Sequence, residues 1–300
     1  MIKIKNMMRD NKKILLMSVF LLIFLTACVS RQSDGTIHPD DVIGLDLPFS
    51  ESFSDSWFNI IVWPITQLIN IVAKYSDAGI GIFVVTILLN FGTAAMSIKS
   101  QVANQKMQMI QPEIQKIQAK YKDKKDQNSQ MRMYQETQTL YKKYTINPMG
   151  TLLTTFIQFP IIIAVYQAVL RSEAVIEGSF LGINLTHTPM SAFTNFSNES
   201  LPVIIIFIAM AVFQFISFKI PQMLSKRRKE RNHIKTKEYA QPKQKGGMQN
   251  SMNMMMYFSV GMVVVFAINW PLGMSLYWLI SSFTRIAQNI IVDKFFIKDI

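Results

Sequence analysis

A single cysteine, Cys28, in 300 residues leaves no material for an internal disulfide framework or a cysteine-built metal site. Histidine is almost as scarce: His38, His187 and His233 fall in polar stretches between hydrophobic segments. None of those hydrophobic segments holds an Asp or Glu. A membrane-embedded hydrolase, which needs a nucleophile or a carboxylate and histidine set at membrane depth, has nothing to work with. Internal symmetry is missing as well. A small-solute transporter would show repeated halves with broken, glycine-rich spans in matching places. Charged residues make up only 17% of the chain against 50% apolar, with 21 Phe and 20 Met. That is too much apolar surface for one soluble domain of this charge content, and several membrane spans are the natural place for it.

Of the hydrophobic segments, residues 79–101 (GIGIFVVTILLNFGTAAMSIKSQ) are the most informative. Their first nineteen residues are uncharged, about the ~20 that a helix needs to cross a bilayer. Thr86, Asn90, Thr93 and Ser97 recur at i, i+4, i+7 and i+11, which puts all four on one side of a helix. Such a stripe is costly against lipid, so it turns toward other helices or toward a water-filled cavity. Both readings stay open from the sequence: hydrogen bonds between packed helices, or the wall of a wet groove.

The N-terminus carries Lys3, Lys5, Arg9, Lys12 and Lys13, then an apolar core, then Leu25-Thr26-Ala27-Cys28. Residues 1–27 therefore read as a secretory signal. Leu-Thr-Ala-Cys resembles the bacterial lipobox, in which cleavage before the cysteine leaves a lipidated N-terminus on Cys28, outside the membrane. Residues 28–56 are polar, with Asp, Ser and Pro, and are expected to be a flexible tether without a fold of its own. Residues 57–75 are apolar but interrupted by Asn59, Pro64, Thr66, Gln67 and Asn70; Trp57, Trp63 and Tyr75 suit an interface. They are expected to form a helix on the outer surface, broken near Pro64.

The charges then fix a topology. Residues 79–98 run inward as span 1, and residues 99–145 are strongly basic and cytoplasmic. Span 2 (147–170) returns outward to an outer loop (171–200) that sets Arg171 against Glu173, Glu177 and Glu199. Span 3 (201–218) leads to a basic cytoplasmic loop (219–250) with the run Lys226-Arg227-Arg228-Lys229. Spans 4 (254–268) and 5 (272–291) form a hairpin turned by Asn269-Trp270-Pro271, and residues 292–300 are a cytoplasmic tail. Every loop long enough to test is positive inside, so the net charge of +12 belongs to cytoplasmic loops rather than to sequence-specific nucleic-acid binding. The outer loop also contains Asn-x-Ser/Thr triplets at Asn184, Asn195 and Asn198, read as chance. The fold class is all-α: five transmembrane helices around a hydrophilic groove, with an outer interfacial helix and a cytoplasmic helical hairpin. In that hairpin Met107, Ile110, Ile114 and Ile117 keep a helical period; a second helix follows from about Ser129 to Tyr144, with residues 121–128 as the turn. It is either a structural hairpin with a solvated basic face or a docking surface for an acidic partner, a ribosome or anionic lipid headgroups.

Several stretches in this order resemble the YidC/OxaA insertase family, kin to the mitochondrial Oxa and chloroplast Alb proteins. They are QPEIQKIQAKYK (111–122), LYKKYTINPMG (140–150), QFPIIIAVY (158–166), MNMMMY (252–257) and WPLGMSLYW (270–278). The resemblance covers roughly residues 57–291, and the lipobox matches its Gram-positive branch. It implies a membrane protein insertase and chaperone that is not an enzyme and needs no cofactor or metal. The implied groove is open to the cytoplasm and closed to the outside. Nascent membrane proteins are its clients, with the ribosome, the Sec translocon and anionic membrane lipids as further expected partners. A specialised or degenerate paralogue serving a few clients is the alternative within the family.

One position departs. Where the family usually carries an arginine in the first span this chain has Asn90, and Ala95 replaces the usual proline a little further on. A neutral amide keeps a groove wet but does not attract acidic tails. In span 5, Ser275, Trp278, Ser282, Arg285 and Asn289 share one helical face. Spans 1 and 5 run in the same direction, so Asn90 and Arg285 are expected at similar depth. Arg285 then supplies the charge from the opposite wall, or it snorkels to the inner headgroups. Gln158 and Gln214 are further groove candidates, each equally an interhelical hydrogen bond; Trp278 matches the family's groove tryptophan or simply packs. Pro160 is expected to kink span 2.

Overall fold

The computed structural model describes residues 37–124, 126–231 and 248–297. Cys28, the signal segment and residues 232–247 of the 219–250 loop lie outside them. The described chain is α-helical: α1 (Phe49–Asp55), α2 (Asn59–Tyr75), α3 (Ala78–Met109), α4 (Gln111–Tyr121), α5 (Gln127–Lys143), α6 (Pro148–Arg171), α7 (Glu173–Glu177), α8 (Pro189–Thr194), α9 (Leu201–Arg231), α10 (Met248–Asn269) and α11 (Leu272–Phe295). Helix α3 packs against α2, α6, α9 and α11, and α9 and α11 pack closely on each other.

Its exterior is greasy where a soluble protein is polar. Phe83, Leu88 and Phe91 on α3, Ile205 and Ile208 on α9, Phe258 and Val265 on α10, and Phe283 and Ile291 on α11 are all exposed. Patches of this extent mark contact with lipid or partner rather than water. Helix α9 is long and apolar enough to cross a bilayer, about 46 Å at 1.5 Å per residue. Helix α3 meets the same test as a pair bent by 70° between Ala94 and Ser97. Shorter apolar stretches occupy Gln158–Arg171 and Val260–Asn269.

Helix α2 is inside out. Its buried residues include Asn59, Thr66, Gln67 and Asn70, while Ile60, Ile61 and Ile71 are exposed. The polar residues that interrupt the sequence pattern are thus the packed face, as expected of a helix whose other side meets lipid. It is not broken: Pro64 lies within one continuous helix. A proline near the first turns removes one backbone bond, from the carbonyl of Ile60, which sits on the exposed side. Gly81 sets how closely α3 approaches; a Cβ there would stand 2.7 Å from the Ile69 carbonyl oxygen.

Three further expectations are corrected. Residues 37–56 are not a free tether. Ile43 is fully buried, Gln67 Nε2 donates to the Gly44 carbonyl (2.7 Å), Asn70 Nδ2 to that of Ile43 (2.7 Å) and Trp63 Nε1 to that of Leu47 (3.0 Å). The side chains of α2 therefore satisfy the backbone of a segment that has little regular structure of its own. Helix α9 continues thirteen residues past the expected end of span 3, because 219–231 contains good helix formers and only Pro221 as a breaker. Within the basic run, Arg228 is buried: it donates to the Asp293 carboxylate (2.9 Å) and to the carbonyls of Asp293 (2.6 Å) and Ile297 (2.9 Å), tying α9 to the end of α11.

The hairpin matches its periodicity. The expected single helix over 99–120 is corrected: residues 99–109 continue α3, and the break at Ile110, with Pro112 as the second residue of α4, leaves α4 as the first arm. Ile110 and Ile114 are buried with Ala103, Leu140 and Ile146, and Met107 and Ile117 pack beside them. The arms are tied by Lys120 Nζ and Tyr121 Oη, both on Glu136, and by Tyr144 Oη on Glu113 (2.7 Å). The Lys120 bond holds the exposed Glu136 carboxyl below its ordinary range, and Glu136 in turn raises Lys120. Asp126, capping α5 at Ser129 N, is lowered as well. A lowered carboxylate contributes stability above its unfolded pKa and loses it as pH falls through the folded one; a raised lysine loses its share only as pH rises through its folded pKa. Backbone amide exchange across 111–143 is therefore expected to accelerate on acidification below the carboxylate range. A rate independent of pH there, after correction for intrinsic exchange, would contradict these ties.

Candidate functional site: a polar seam between α3, α9 and α11

The predicted stripe on α3 does not have one fate. Thr86 is fully buried and its hydroxyl donates to the Ile82 carbonyl of its own helix (2.6 Å), so it lines no wet wall. A short polar side chain in a helix has this way out, as Asn289 also shows by donating to the Arg285 carbonyl (2.9 Å). Thr93 likewise bonds to the Leu89 carbonyl (2.8 Å) but is only half-buried. Asn90, also half-buried, crosses to α11: its Nδ2 donates to Ser281 Oγ (3.2 Å), and its carbonyl accepts from Gln288 Nε2 (3.4 Å). Half-buried Ser97 accepts from Gln101 Nε2 (2.9 Å), which also reaches Gln288 Oε1 (3.0 Å). One turn further, buried Gln105 donates to the Asn289 carbonyl (3.1 Å).

Helix α9 closes the other side. Buried Gln214 accepts from the Ser282 hydroxyl (2.6 Å), which also lies 2.8 Å from the Trp278 carbonyl. Gln214 is therefore an interhelical hydrogen bond. Gln158 on α6 is half-buried and, with Ser281, approaches the Tyr277 hydroxyl. Trp278 is buried in an aromatic column: it stacks on Trp270 (5.4 Å, 14° between planes), which lies 4.3 Å from Tyr166. It packs rather than facing open space.

Arg285 lies on α11 between the two residues that Asn90 meets, Ser281 and Gln288. Its guanidinium sits over the Phe218 ring of α9, 5.2 Å from the centroid. It is half-buried, and among the described residues it has no carboxylate within ion-pair distance. The seam thus holds side-chain amides, Ser97, Ser281 and Ser282, and Arg285, which has no counter-charge among the described residues, flanked by apolar helix surfaces. Gln101, Gln105, Ser281 and Gln288 escaped the sequence reading; the pairing of α3 with α11, invisible to periodicity on either helix alone, is what brings them in. Among the described residues no group of His, Cys, Asp or Glu could hold a metal ion.

Helices that are apolar outside and polar along one internal seam define the class: an all-α membrane protein with a polar path between its helices. A family profile described as 60Kd inner membrane protein matches residues 70–299, and the chain belongs to that family. Membrane protein insertase MisCA of Bacillus subtilis (strain 168) is 31% identical over 249 residues, 82% of each chain. Membrane protein insertase YidC 2 of Bacillus anthracis is 29% identical over 243 residues, 80% of this chain and 82% of the relative. Membrane protein insertase YidC of Oceanobacillus iheyensis is 29% identical over 249 residues, 82% of this chain and 87% of the relative.

Proposed function

We propose that this chain is a membrane protein insertase whose clients pass along the seam between α3, α9 and α11. The observation that carries the reading is the run of half-buried Asn90, Thr93, Ser97 and Arg285 inside helices whose outer faces are apolar. The five spans are α3, α6, α9, α10 and α11, with α2 on the outer surface, the α4–α5 hairpin and the 219–250 loop in the cytoplasm, and an acylated Cys28 outside. One end of the molecule gathers residues 37–59, the outer loop and the Trp270-Pro271 turn; the opposite end gathers the hairpin and the Arg228–Asp293 tie. That division supports the orientation argued from loop charge.

Polar parts of an incoming chain would meet water and side-chain amides part-way across, which shortens the apolar distance and lowers a burial cost of several kcal/mol. Apolar parts then move out between helices into lipid, downhill by ~0.8 kcal/mol per methylene buried. Nothing in this cycle calls for a catalytic residue or a cofactor. The basic hairpin and loop suit an acidic neighbour, the ribosome or anionic headgroups, and the Sec translocon is a further candidate partner. A small-solute transporter is not favoured, since the relatives are named insertases.

Depletion of a host's own insertase tests the proposal. Expression of this chain is expected to restore growth, and Asn90→Arg is expected to do so equally, because Arg285 already supplies the seam's charge. No rescue by the wild-type chain at wild-type membrane abundance would overturn the reading. Rescue by Asn90→Arg alone would show that Arg285 does not do the work assigned to it.

A further inference from the structure

Helix α1, seven residues that follow Pro48, has no part in the seam. It packs on α2, with Ser52 fully buried beneath it and the Ser52 carbonyl accepting from Asn59 Nδ2 (2.6 Å). Phe49 and Phe53, one turn apart, are 41% and 44% exposed and stack on each other at 5.8 Å. Phe49 also meets the edge of Trp63 at 5.4 Å, whose Nε1 is fixed by the Leu47 carbonyl. The rings are thus held outward by a built support. Trp57, Ile60 and Ile61 continue the exposed apolar surface onto α2, and Glu51 stands about half a helical turn away from the two phenylalanines.

We infer that α1 is a second membrane-interface foot: Phe49, Phe53 and Trp57 enter the outer leaflet beside the lipid-facing side of α2, while Glu51 stays in the headgroup water. The inference rests on the proposed orientation with α2 on the outer surface. Lipid is the occupant because Phe49 meets Trp63 of α2, one turn from the exposed Ile60, so the rings adjoin the exposed apolar side of that helix. The charged residues of α1, Glu51 and Asp55, are acidic rather than basic, so apolar burial and not attraction to anionic lipid holds it. Residues 37–56 are thereby pinned at two levels, by α2 below and by the bilayer beside them, which fixes where a chain anchored further upstream meets the membrane.

Nitroxide labels on single cysteines introduced at 49, 51, 53 and 57 of the full chain, whose acylated Cys28 takes no label, test it after reconstitution into nanodiscs. Labels at 49, 53 and 57 are expected to collide with oxygen in lipid several-fold more than with a water-soluble nickel chelate, and the label at 51 the reverse. The pattern is expected to be the same in phosphatidylcholine alone and with one-third phosphatidylglycerol. Labels at 205 and 208 on α9 report separately whether the helical body sits in lipid. If those are lipid-exposed while 49 and 53 are as water-accessible as 51, the foot is refuted and the spanning body is not. Labels at 49 and 53 shielded from both reagents, with short distances between copies, would assign the patch to a second copy and equally overturn the inference.

Discussion

Arg285→Ala is expected to cut the insertion of a client with an acidic translocated tail by about tenfold, a loss of ~1.4 kcal/mol of attraction. Arg285→Lys is expected to retain most of it. The cation lies over Phe218 between α3 and α9, half-buried and without a carboxylate among the described residues, so its field is free for a passing anion. A client whose tail is neutral should be far less affected. Insertion into proteoliposomes, scored by protection of the tail from protease, separates the cases. Equal activity of the alanine and lysine variants on the acidic client would remove Arg285 from the mechanism and leave it as an arginine reaching for the inner headgroups.

Arg171→Ala is expected to be the most damaging single change to the fold outside the seam. Arg171 ends α6 with only 5% of its surface exposed; Nη1 donates to Asn59 Oδ1 (2.8 Å) and Nε to the Asp41 carbonyl (2.6 Å). Next to it, the Ser172 hydroxyl donates to Asn70 Oδ1 (2.6 Å), so both ends of the buried polar face of α2 are fastened at the end of α6. Alanine strands two acceptors under a packed segment at ~1–3 kcal/mol each, so a loss of about 2–6 kcal/mol is expected. Thermal unfolding in detergent should show it, and residues 37–58 should become the first site of proteolysis. An unchanged midpoint with 37–58 still protected would mean that Arg171 is a surface charge, as the sequence suggested.

That contrast shows how far the sequence reaches. Arg171 and Arg228 read as loop charges of the two sides, because a sequence displays a charge but not its partner; both turn out to be buried donors to backbone carbonyls. The inner face of the hairpin was legible, since Ile110 and Ile114 sit on a helical period, but the break at Ile110 that divides α3 from α4 was not. The α3 stripe was legible as a stripe, yet its destination was not. Thr86 spends its hydroxyl on its own helix, whereas Asn90 reaches another, and only the pairing of α3 with α11 decides which wall it joins. Residues 37–56 failed for another reason: Ile43, Leu45 and Leu47 alternate over too few residues to fix a strand, and their order comes from the amides of α2 rather than from local propensity.

Cross-linking from inside the seam bears most directly on the central claim. A photoreactive phenylalanine placed at 90 or 97, with the lipid-facing position of Phe91, 71% exposed, as control, is presented with a ribosome-stalled client whose tail has begun to cross. Adducts to the client are predicted at 90 and 97 and to be several-fold weaker at 91. Adducts absent from 90 and 97, or no stronger there than at 91, would mean that clients do not travel between α3 and α11.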